Sequence, residues 1–62
     1  MDVFEILTKE IDEKVYMLQM FITEGRAETF EEYRRLCGEI KGLSTAKSYA
    51  IDLKNRMESA DE

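Results

Sequence analysis

The side chains best suited to covalent, acid-base or metal chemistry are a single cysteine, Cys37, and fourteen carboxylates, and there is no histidine. A nucleophilic cysteine needs a base to generate its thiolate, and the usual imidazole partner is missing. Neighbouring acids such as Asp12 and Glu13, or Glu31 and Glu32, point in different directions on a helix and do not form a carboxylate pair. Glu10 and Glu13, three apart, share a face as ordinary solvated acids do. The Glu-x-x-His signature of di-iron bundles is impossible without histidine, and no glycine-rich phosphate loop or nucleophile elbow is present. The expectation is therefore a non-enzymatic chain with no cofactor and no metal. Cys37, in an apolar helical stretch, reads as a small buried hydrophobe.

Charge removes a further class. Fourteen acids against nine bases give a net charge of -5, whereas phosphate binding needs a basic footprint, so nucleic acid is not an expected partner. The nine interspersed Lys and Arg also dilute the field that a mimic of DNA would need. The longest uncharged run is the nine residues from Val15 to Thr23, against about 20 for a bilayer span, so no membrane partner is expected. The opening Met1-Asp2-Val3-Phe4-Glu5 is acidic where a secretory signal is basic, which points to the cytoplasm. One cysteine cannot staple a small fold internally, and below roughly 70 to 80 residues one core seldom supplies more than ~3 to 5 kcal/mol.

The elements follow from apolar spacing. Phe4, Leu7, Ile11, Val15, Leu18 and Ile22 recur at steps of three and four, predicting one amphipathic helix over about 2–24 with Asp2 as N-cap. Gly25 supplies the stop. Residues 25–29 form a loop, and Thr29-Phe30-Glu31-Glu32 matches the capping box of a second helix over about 30–58. Its apolar positions Tyr33, Leu36, Ile40, Leu43, Ala50, Leu53 and Met57 keep helical phase, with Lys47 interrupting them. The acidic tail 59–62 is expected to fray, because the negative end of the helix dipole disfavours it. A short loop between long helices makes them antiparallel, so residues 1–62 read as one all-α domain, a helical hairpin that oligomerises into a bundle. The halves are complementary in charge: residues 1–31 carry eight acids and three bases, and residues 33–56 carry six bases and two acids.

Two features point to an interface. Gly38, Gly42, Ala46 and Ala50 recur every four residues, along a ridge on which a further helix could approach closely. The alternative is a break at Gly42 with Ser44 or Thr45 capping a third helix, which makes a three-helix bundle. Around the end of the first helix, Tyr16, Met17, Met20 and Phe21 add apolar surface beyond what one partner helix needs, and methionine and aromatic side chains suit an adaptable interface.

The segment Glu32-Tyr33-Arg34-Arg35-Leu36-Cys37-Gly38-Glu39-Ile40-Lys41-Gly42-Leu43, with Ala46, Ile51-Asp52-Leu53 and the acidic end, resembles the small helical proteins encoded by tailed bacteriophages near capsid, portal or tail genes. The resemblance implies a structural or assembly component, working in the host cytoplasm or the virion, and carries no established functional residues. The expected function is thus protein interaction, through self-association as a homo-oligomer or docking on a phage head or portal assembly. The competing reading is a small regulator that binds one host protein. Purified virions separate the two, since only a structural subunit would be present there in many copies.

Overall fold

Asp2 opens the first helix as expected, its carboxylate accepting the Glu5 N–H at 2.8 Å and so satisfying one of the donors that a helix start leaves free. The computed structural model describes residues 2–60, and these form two helices, α1 (Val3–Thr23) and α2 (Phe30–Ala60). Gly25 ends α1 with a φ of 73°, conformational space that glycine enters without a Cβ clash. Gly25 N–H donates to Ile22 O at 2.9 Å and Arg26 N–H to Phe21 O at 3.2 Å, the paired bonds of a Schellman motif. That motif usually carries an apolar contact across its last turn. Here the Arg26 guanidinium lies 5.2 Å from the Phe21 ring centroid and takes that place.

The start of α2 differs slightly from a reciprocal capping box. Thr29 Oγ1 accepts the Glu32 N–H at 3.0 Å, but the Glu32 carboxylate accepts from Glu28 N–H at 3.3 Å, one residue before the cap. α2 then runs for 31 residues without a break at Gly42. It reaches Ala60, past the expected end near 58, because neither Gly nor Pro stands there to stop it. Asp61 and Glu62, the rest of the acidic tail, lie outside the described residues.

The helices pack antiparallel in a slab with extents of 51 × 19 × 11 Å, one helix thick. The seam of α1 is Phe4, Thr8, Ile11, Val15, Leu18 and Ile22, and that of α2 is Glu32, Leu36, Ile40, Leu43, Lys47, Ala50 and Lys54. Both sets step by three and four, so each stays on the side nearest its neighbour. The seam corrects the expected apolar faces at several positions. Thr8 takes the place expected of Leu7, and its hydroxyl donates to Glu5 O at 3.2 Å, which allows it to be half-buried. Lys47 stands on the seam as the expected interruption of the apolar series, Lys54 takes the place expected of Leu53 and Met57, and Tyr33 is displaced to the flank. The lysines fit because their stems lie along the seam while their ammonium groups reach acids of α1. Lys47 Nζ is 2.7 Å from Asp12 Oδ1, and Lys54 Nζ is 3.4 Å from Asp2 Oδ2 and 3.5 Å from Glu5 Oε1. Charge complementarity between the halves is thus realised across the hairpin.

The Glu5 amide holds the Asp2 carboxyl below its ordinary value against opposing desolvation, with the Lys54 ammonium adding to the depression. For Lys54, desolvation acts downward, but Asp2, Glu5 and Glu58 outweigh it and leave the ammonium above its ordinary value. A carboxyl whose folded pKa is depressed adds stability above its unfolded pKa and loses it as pH falls through the folded one. Asn caps as well as Asp. Asp2→Asn is therefore expected to show a shallower fall in melting temperature than the parent between about pH 5 and pH 2. Equal acid sensitivity in the two chains would contradict the assignment.

Candidate interaction surface

Only four hydrophobic side chains are buried among the described residues, Ile11, Leu18, Leu36 and Ala50, and twelve large hydrophobics are exposed. A slab one helix thick has no third layer to cover its broad sides. Those two sides differ in chemistry.

Helical spacing assigns each exposed residue to a side. Val3, Leu7 and Phe21 lie along one flank of the α1 seam, with Met17 further round on the same side. In an antiparallel pair of right-handed helices, that flank adjoins the flank of α2 bearing Gly42, Ala46, Leu53 and Met57. Two surface hollows bear this out: Met17 and Phe21 border the same depression as Arg35 and Glu39, and Val3 borders another with Met57. Val3 is 75% exposed and Met57 53%. Charges interrupt the apolar line of this side at Glu10 and Lys14 on α1, and at Arg35 and Glu39 on α2, the latter two paired at 2.8 Å. The opposite broad side is more polar. It presents Glu5, Asp12, Gln19 and Thr23 from α1 with Ser44, Ser48 and Asn55 from α2, and its apolar residues are the stacked Phe30 and Tyr33 by the turn and Ile51, which shares a hollow with Glu5 and Thr8.

The residues singled out from sequence are distributed unequally over this surface. Met17, Phe21, Gly42 and Ala46 share the apolar side. Ala50 is buried in the seam at 8% exposure. Gly38 lies further round α2, Met20 on the outer side of α1, and Tyr16 beside Lys9, Asp12 and Glu13 on a hollow that faces away from α2 and that Met17 borders from its other edge. A four-residue step advances about 40° round a helix, so the row from Gly38 to Ala50 turns through about a third of the circumference. A Cβ built on Gly38 or Gly42 would meet nothing within 4 Å. Helix α1 therefore does not use either glycine for close approach.

Sequence reasoning missed the pairing of Leu53 and Met57 with Val3 and Leu7 on one side. Both α2 residues fall in phase with the hairpin core when read by hydropathy alone, which does not reveal that lysines can fill a seam. Cys37 is half-buried and unpaired. It adjoins Tyr33, whose phenol it holds above its ordinary pKa through a side-chain hydrogen bond and its charge. Among the described residues, no group of three or more Cys, Asp or Glu is placed to hold a metal ion, and no helix is long and apolar enough to cross a membrane. No protein-family model, curated protein or solved structure matches this chain.

Proposed function

We propose that this chain is a protein-interaction subunit whose work is done by the apolar broad side of the hairpin, and that it is non-enzymatic. The observation that carries the reading is the contrast between four buried hydrophobic side chains and exposed apolar residues on one broad side of both helices, Val3, Leu7, Leu53 and Met57 at one end and Met17 nearer the other, with charged residues between them. Exposed apolar patches rimmed by polar residues mark interaction surfaces. The resemblance of residues 32–43 to small tailed-phage proteins makes the assembly, in this proposal, a head or portal structure.

The test compares one added charge on each side. Met17→Glu is expected to weaken association at least tenfold by sedimentation, because it buries an unpaired carboxylate in the contact. Ser44→Glu, the same change of charge on the polar side, is expected to leave association unchanged. Equal effects of the two would remove the apolar side from the proposal.

A further inference from the structure

We infer that the occupant of the apolar side is a second copy of this chain, docked face to face with both turns at the same end, so that α1 of each copy lies on α2 of the other. This rests on the proposed interaction function and specifies its partner and geometry.

The area is sufficient. A broad side of 51 × 19 Å offers roughly 1,000 Å² per copy, compared with about 800 Å² per partner in an interface of standard size. Two-fold symmetry permits two face-to-face arrangements. With the axis parallel to the helices, each α1 lies on the partner's α2 and the turns coincide. With the axis across the helices, α1 lies on α1, α2 on α2, and the turns are at opposite ends.

Charge selects the first. α1 with its Asp2 cap carries five acids against two bases, a net of -3, while α2 over Phe30–Ala60 carries six bases against five acids, a net of +1 with its acids gathered toward the ends. Placing α1 on α2 surrounds every helix with neighbours of opposite sign, and the other arrangement sets like on like. Local groups agree. Lys14 and Glu39 border the same hollow and so stand at the same height in the hairpin. In the chosen arrangement Lys14 of one copy therefore comes over Glu39 of the other. At that height Phe21 comes over Arg35 and Glu39, and Met17 comes nearer Gly42, where the missing side chain leaves room. Neighbouring helices are antiparallel in both arrangements, so the helix dipoles favour face-to-face docking without choosing between the two.

The experiment measures distance between copies. The full chain with Cys37→Ser and Glu24→Cys carries one spin label beside the turn, and pulsed dipolar spectroscopy reads the separation within the oligomer. Coincident turns give a distance below about 30 Å, set by the spacing of packed helices and the label arms. A distance near the 51 Å hairpin length would overturn this arrangement and leave the proposed interaction function standing. A stably helical monomer with no intermolecular coupling at any concentration would overturn the second copy as occupant. If that monomer is also indifferent to the charge at position 17 in every assembly in which it is found, the interaction function fails with it. A label at Asn55→Cys, at the other end and on the outer polar side, must likewise give a distance well short of the 51 Å hairpin length and guards against a local defect at the turn.

Discussion

Replacing Leu36 by alanine is expected to unfold most of the chain at room temperature. Leu36 is the most buried side chain among the described residues, at 5% exposure, and it lies between Leu18 and the turn end of the seam. Truncating a buried leucine costs about 2 to 5 kcal/mol through lost transfer energy and the cavity left behind. A core in a chain of this size supplies only about 3 to 5 kcal/mol, so the loss is comparable with the whole. Ile51→Ala makes a similar truncation at a residue that is 42% exposed on the polar side, and is expected to cost under about 1 kcal/mol. Urea unfolding followed by helicity compares the two. If Leu36→Ala stayed within about 1 kcal/mol of the parent, the seam would not be what holds the hairpin together.

The second large effect is expected at Gly42. Gly42→Leu should weaken self-association at least tenfold, and so move the loss of helix on dilution to a correspondingly higher concentration, because the added side chain stands where α1 of the partner must approach. Gly42→Ala is a separate case. Its Cβ meets nothing within 4 Å inside the chain, and alanine stabilises a helix interior by about 1 kcal/mol relative to glycine. It should therefore raise helicity at low concentration, where the monomer predominates. Association by Gly42→Leu at the strength of the parent would contradict close approach at this position.

The local signals were legible because each belongs to a short stretch of chain. Asp2, Gly25 and Thr29 mark helix ends by chemistry that depends on a few neighbouring backbone groups, and all three act where the sequence places them. The seam was legible only in part, since it depends on residues far apart in sequence. Lys47 interrupts an apolar series when read along α2, yet its ammonium reaches Asp12, 35 positions away. Leu53 and Met57 read as core by phase alone, and the choice of Lys54 over them follows from Asp2 and Glu5 on the other helix. The candidate surface was legible as excess apolar residues but not as a side of the hairpin. Tyr16 and Met20 belong to the same dense stretch as Met17 and Phe21, and only the position of α2 separates them. The row Gly38, Gly42, Ala46 and Ala50 was read as one ridge, and its turn round the helix sends Ala50 into the seam and leaves Gly42 and Ala46 on the apolar side.

The central claim is that the apolar side of this hairpin is covered by a second copy. Light scattering after size exclusion, over a hundredfold range of concentration with helicity followed in parallel, tests it most directly. The account predicts twice the monomer mass at high concentration, and on dilution a fall in mass accompanied by a loss of helix, since association and folding are linked by mass action. A monomeric mass with undiminished helicity across the whole range would contradict it.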